Sequence, residues 1–175
     1  MDPNDSFREF MAAHQQSLMR TAYLLTGDAH LAEDLLQSVL IKVLRRWSEL
    51  AHVASPQAYA RKALVNQYIS WRRRLVRTAE LPSAEPPERA HSSEESTIIR
   101  LAMRQALARL PPRQRAVIVL RYYEDLTEHD TAKLLNCSIG TVKSQAHDAL
   151  ARLRALAPEL APKFADMENL EEAHR

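Results

Sequence analysis

The chain has two glycines and one cysteine among its 175 residues. With so little glycine and a weak β-branched content it lacks what a sheet protein needs, while long Ala/Leu/Arg/Glu-rich segments favour helix. The single Cys137 excludes an internal disulfide framework and fits a reducing compartment. No apolar run approaches the length of a bilayer span, so no membrane insertion is expected. The start, Met1-Asp2-Pro3-Asn4-Asp5, is acidic and polar, without the apolar stretch of a signal peptide. No HExxH or CxxC pattern, phosphate loop or nucleophile–base pairing occurs, which argues against an enzyme, a metal centre or a bound cofactor. The expectation is a soluble, cytoplasmic, all-α chain with an apolar share of 46%, enough for real cores.

Charge is also scarce in net terms, at +2, but it is segregated. Between Arg45 and Arg77 stand eight basic residues (Arg45, Arg46, Arg61, Lys62, Arg72, Arg73, Arg74, Arg77) against one acid, Glu49. Residues 158–175 carry five acids against Lys163 and Arg175. Such segregation suits a polyanion-binding face balanced by acidic segments elsewhere; a solvated basic helix face is the plainer alternative.

Apolar periodicity then orders the chain. Phe7, Phe10, Met11, His14, Leu18, Ala22 and Leu25 trace one helical stripe ending at Thr26-Gly27, with His14 read as a packing residue. Asp28 caps a second helix with Leu31, Leu35, Val39, Val43 and Trp47 on one side, widened by Leu36, Leu40 and Leu44. That helix is either a central core element or one that offers a second face to a partner. A connection, Ser48 to Ala54, leads to Ser55-Pro56, a strong start signal for a third helix carrying Tyr59, Ala63, Leu64, Tyr68, Trp71 and Leu75. Its polar surface holds Arg61, Lys62, Asn66, Gln67 and Ser70 before Arg72-Arg73-Arg74. Aromatics among arginines and amides suit melted nucleic acid, although Tyr68 and Trp71 are equally good core residues.

Residues 78–93, rich in proline, serine and acids, read as a flexible linker. Glu94 to Leu110 resumes helix with Ile98, Leu101, Ala102 and Leu110 apolar; Pro111-Pro112 breaks it, and Arg113 to Tyr123 follows with Ala116, Val117, Leu120 and Tyr123 inward. Thr127-Glu128-His129-Asp130 reads as a capping-box start for a helix through Leu135. After Asn136-Cys137, Ser138 is a good N-cap for a last helix with Val142, Ala146, Ala149, Leu150 and Leu153 on one side. Thr141, Ser144, His147 and Ala151 lie opposite, flanked by Lys143 and Arg152. The pair is either a helix-turn-helix whose second helix enters a DNA major groove or an ordinary helical hairpin. Beyond Ala157, Pro158 and Pro162 interrupt regular structure, and residues 158–175 are expected to form a mobile acidic tail.

Together these segments resemble the bacterial extracytoplasmic-function (group IV) sigma factors of RNA polymerase, in the sigma-70 family. Ala32-Glu33-Asp34-Leu35-Leu36-Gln37-Ser38-Val39-Leu40 looks like the family's core-polymerase-binding segment. Ser55-Pro56-Gln57-Ala58-Tyr59 through Asn66 and Arg72-Arg73-Arg74 looks like the segment that meets the −10 element. Leu110-Pro111-Pro112-Arg113-Gln114-Arg115-Ala116-Val117 and Gly140-Thr141-Val142-Lys143-Ser144 look like the −35-reading domain. The likeness runs from Phe7 to Leu156 in the family's order.

The resemblance implies two small helical domains, region 2 over residues 1–77 and region 4 over 94–157, joined by the linker, and no catalytic residues. Core polymerase would be met at its β′ clamp helices through Leu31, Glu33, Asp34, Leu35, Gln37, Ser38, Leu40, Ile41 and Trp47. Melted −10 DNA would be held by Arg61, Lys62, Asn66, Gln67, Tyr68, Ser70, Trp71, Arg72, Arg73 and Arg74. The second domain would sit near the β flap and read the −35 groove with Arg121, Ser138, Thr141, Lys143, Ser144, His147 and Arg152. An anti-sigma factor is the further partner the family implies. Extended, the linker spans at most ~53–58 Å, enough for modules one DNA turn, ~34 Å, or more apart. Two departures stand out: Ser70 follows Asn66 where the family commonly has an acid, and Gln145 and Asp148 occupy positions near which it usually has arginines.

Three other readings compete. A self-sufficient helix-turn-helix regulator should dimerise and bind a palindrome alone, yet the chain has a second basic-aromatic segment and no evident dimer helix. An enzyme lacks its residues, and a purely protein-binding adaptor does not need the arginine run. The acidic linker could also fold back on the basic surfaces.

Overall fold

The computed structural model describes residues 3–52, 55–78 and 94–173, all outside strands. The chain divides into two compact units, Met1–Glu85 and Pro86–Arg175. The expected linker, and with it any fold-back of its acids, lies almost wholly outside the described residues.

The first unit is a three-helix bundle with one extra turn. Helix α1 (Pro3–Thr26) stops at Gly27, whose φ of 75° suits a residue without Cβ. Asp28 then accepts the Leu31 N–H at 2.8 Å and starts α2 (Ala29–Arg45). The connection expected after Trp47 begins instead as a short helix, α3 (Trp47–Leu50): Arg46 leaves helical geometry at φ −109°, ψ 12°, which lets Trp47 and Leu50 turn into the core. Ser55 accepts the Ala58 N–H at 3.2 Å, and α4 (Pro56–Thr78) follows with proline in its first turn. Phe10, Leu18, Ala22 and Leu25 of α1 close on Leu35, Leu36, Val39 and Val43 of α2 and on Leu64, Val65 and Tyr68 of α4. Trp47 sits edge-on to Phe7 at 5.2 Å and tilted against Phe10 at 5.0 Å, its indole N–H donating to Ser6 Oγ at 2.8 Å. That bond removes the cost of burying a donor. His14 packs half-buried on Phe10, as a packing residue should.

The second unit is built around its longest helix. Helices α5 (Glu94–Ala108), α6 (Pro112–Ile118) and α7 (Glu128–Leu135) all pack on α8 (Ile139–Leu156). Of the apolar residues of α5, Ile98 and Leu101 are exposed (Ile98 66%), while Ala106 and Leu107 at its other end are buried. Val119–Tyr123 form a π-turn, with the Glu124 N–H on the Val119 carbonyl at 3.0 Å. The wider turn shifts the register that follows. Tyr123, expected inside, is therefore exposed, and Arg121 is buried instead. The segment beyond Ala157 is also helical where irregular chain was expected: a 3₁₀ turn (Pro158–Leu160) leads into α9 (Ala161–Ala173). Both prolines fall at the starts of these helices, where a missing N–H costs nothing, and Leu160 and Phe164 are buried against the unit. An ion pair joins Arg154 of α8 to Glu168 of α9.

Candidate nucleic-acid and partner interfaces

The α7–α8 pair is set by local chemistry. Thr127 Oγ1 accepts the Asp130 N–H at 3.0 Å and donates to Asp130 Oδ2 at 2.8 Å, fixing the start of α7. Asn136, at φ 51°, ψ 55°, turns the chain, and the Cys137 N–H closes back on the Ala132 carbonyl at 3.0 Å. Ser138 then accepts the Thr141 N–H at 3.0 Å, so the N-cap of α8 follows two residues after α7's left-handed cap. Cys137 is half-buried in this turn.

Helix α8 buries Val142, Ala146, Ala149, Leu150 and Leu153 and leaves the other side to solvent. Ser144, His147, Asp148, Ala151 and Arg152 are exposed there, and Thr141 is half-buried. The hydroxyls of Ser138 and Thr141 lie 2.9 Å apart, and Ser144 donates to the Thr141 carbonyl at 3.1 Å. Lys143 Nζ is 3.5 Å from Glu128 of α7. Arg121 leaves the candidate set: it is only 8% exposed and its guanidinium donates to the Leu126 carbonyl, which makes it a brace inside the unit.

Helix α4 presents Lys62, Asn66, Ser70, Arg73 and Arg74 to solvent, with Arg61, Trp71 and Arg72 half-buried beside them. Arg74 donates to Ser70 Oγ at 3.3 Å. Tyr68 is corrected from stacking surface to core residue, 2% exposed, because α1 and α2 both close over its side of α4. Gln67 accepts from Lys42 of α2 and so ties two helices. Arg46, counted in the basic run, is spent on structure: it bonds Glu49 at 2.9 Å and the Tyr59 hydroxyl at 3.2 Å and lies 5.3 Å over the Tyr59 ring. The Glu49 bond, then Tyr59, hold its pKa above the ordinary arginine value.

On α2 the outward face gathers Asp34, Gln37 and Ile41, with Glu33 alongside; Leu31, Ser38 and Leu40 are half-buried at its edges. Ser38 Oγ donates to the Asp34 carbonyl at 2.9 Å. Leu35 and Trp47 are corrected to core residues, since both are turned into the bundle. Leu44, which sequence reasoning used only to widen the core stripe, is 48% exposed beside Ile41 at 52%. The signal for it was present: a stripe wider than one packed face leaves apolar residues over. Two exposed aliphatics flanked by an acid and an amide are the ingredients of a protein interface rather than a phosphate-binding one. Among the described residues no group of three His, Cys, Asp or Glu could hold a metal ion, and no helix is long and apolar enough to cross a membrane.

A helical chain with a basic-aromatic helix in one unit and a helix-turn-helix in the other has the parts of a promoter-reading transcription factor. Residues 10–78 match the family Sigma-70 region 2, and residues 100–153 match Sigma-70, region 4. The RNA polymerase sigma-E factor of Streptomyces avermitilis is 36% identical over 170 residues, 97% of this chain and 93% of that protein. The ECF RNA polymerase sigma factor SigL of Mycobacterium tuberculosis is 32% identical over 152 residues, 84% and 86% of the two chains. The sigma factor RpoE of Bartonella quintana, crystallised with the anti-sigma factor NepR, shares the fold at a TM-score of 0.71 and 24% identity, covering 87% of this chain and 96% of that one. The chain belongs to the extracytoplasmic-function group of the sigma-70 family, and it is an alternative sigma factor that directs transcription initiation.

Proposed function

We propose that three outward helix faces divide the work of initiation. The outward face of α2, with Asp34, Gln37, Ile41 and Leu44, docks on the β′ clamp helices of core polymerase. Lys62, Asn66, Ser70, Trp71, Arg73 and Arg74 of α4 hold the melted −10 element, and the linker over residues 78–93 spans to the second unit. There, near the β flap, α8 enters the −35 major groove with Thr141, Ser144 and His147, Lys143 and Arg152 serving phosphates. The observation that carries this reading is the α2 face. Ile41 and Leu44 stay in solvent on a helix whose opposite side is fully buried, so the folded unit leaves them for a partner.

In this reading the protein binds and positions and carries no chemical step of its own, acting in the cytoplasm with the polymerase. An anti-sigma factor, the kind of partner bound to the Bartonella protein, would silence it by covering one of these faces. The test is transcription by core polymerase supplied with the purified chain on a promoter library. Promoter-specific products that disappear when Ile41 and Leu44 are replaced by polar residues support the reading. Specific DNA binding by the free chain, with no polymerase-dependent product, overturns it.

A further inference from the structure

A carboxylate stands where α8 faces away from its unit. Asp148 is exposed on the side opposite Val142, Ala146, Ala149, Leu150 and Leu153, four residues beyond Ser144 and four before Arg152. Its neighbours on that side, Ser144 and Ala151, are small, so neither holds Asp148 back from a surface that α8 approaches. Two cations of α8 lie against carboxylates of adjacent helices, Lys143 beside Glu128 and Arg154 beside Glu168, while the exposed Arg152 stands on Asp148's own side.

The chemistry of an acid in a major groove is restrictive. An ionised carboxylate only accepts hydrogen bonds. Guanine presents two acceptors there and thymine an acceptor and a methyl group, while adenine sets an acceptor beside its amine. Cytosine alone offers the N4 amine without an acceptor next to it on the same base. Phosphate repels the group outright, and Arg152 one turn away offsets part of that repulsion.

We infer that Asp148 is a specificity-determining residue of α8, accepting a hydrogen bond from the exocyclic amine of a cytosine at one position of the −35 element. The inference rests on the placement of α8 in the −35 groove. It makes Asp148 a discriminator: it selects cytosine at one step and weakens binding to every sequence that puts guanine or thymine there.

The test uses the full chain with core polymerase on promoters whose −35 region is randomised, sequenced after transcription. The native protein should enrich cytosine at one position by about tenfold, the scale of a single base contact. Asp148→Ala should flatten that position and no other. Asp148→Asn should move it to adenine and Asp148→Arg to guanine, following the pairings those side chains favour. The position is exposed, so all three variants should fold, which circular dichroism checks. A −35 preference that is intact but identical in the native protein and Asp148→Ala overturns this inference alone. A library with no −35 preference in any protein, while −10 preference persists, overturns the placement of α8 and this inference together.

Discussion

Lys143 on α8 lies 3.5 Å from the Glu128 carboxylate at the start of α7, so an ion pair braces the two helices of the helix-turn-helix across their turn. Both side chains are partly exposed, and a pair of that kind stabilises by no more than ~1 kcal/mol. Replacing Glu128 by glutamine should therefore cost little in chemical denaturation. It should also remove the carboxylate that competes with DNA phosphate for Lys143, steepening the salt dependence of promoter binding by up to about one ion. An unchanged slope would mean that Lys143 does not reach the DNA.

The two sides of α2 should respond oppositely to truncation. Leu35 is wholly buried, and Leu35→Ala should destabilise the first unit by ~2–5 kcal/mol. Ile41→Ser with Leu44→Ser should leave stability within ~0.5 kcal/mol per site, as exposed substitutions do, yet weaken core-polymerase binding tenfold or more. Calorimetry and a polymerase-binding titration separate the two outcomes. A destabilised double variant would place these residues in the fold rather than at a partner.

Gly140 gives a similar separation at the start of α8. A Cβ there would meet only Ser138 Oγ, at 3.7 Å, an ordinary contact, so the unit has room for alanine. Gly140→Ala should stabilise the helix by up to ~1 kcal/mol. If the first turn of α8 is pressed into a groove, the same change should weaken promoter binding. Tighter binding together with higher stability would show that this turn stands clear of the DNA.

Much of this architecture was legible because it is local. Asp28, Ser55, Thr127 and Ser138 all cap helices through bonds to a backbone N–H three residues on, a contact that needs no tertiary partner. The inward side of α8 followed from its apolar period in the same way. What the sequence could not decide was which of two adequate residues faces in. Tyr68 and Trp71 are both aromatic and one turn apart, and only the closure of α1 and α2 over α4 buries the first and leaves the second half-exposed. The π-turn at Val119–Tyr123 exchanges Arg121 for Tyr123 through a local widening of the helix, with no composition signal. The acidic end looked unstructured because its prolines were read as breakers rather than as first residues of new helices.

That end supplies a fourth prediction. Phe164 of α9 is fully buried, eleven residues beyond the last one matched by the region 4 family. Phe164→Ala should cost the second unit ~3–5 kcal/mol, as for other buried aromatics, visible as a lower denaturation midpoint of the full chain. An unchanged midpoint would mean that α9 contributes nothing to the unit's stability.

The division of labour among three helix faces is tested most directly by run-off transcription with core polymerase and single-face variants. On one promoter the account predicts that Ile41→Ser with Leu44→Ser abolishes polymerase recruitment. Lys62→Ala with Arg73→Ala should allow recruitment but lower open-complex formation, and His147→Ala with Arg152→Ala should weaken only promoters that depend on their −35 element. Equal loss at every step from all three variants would contradict it.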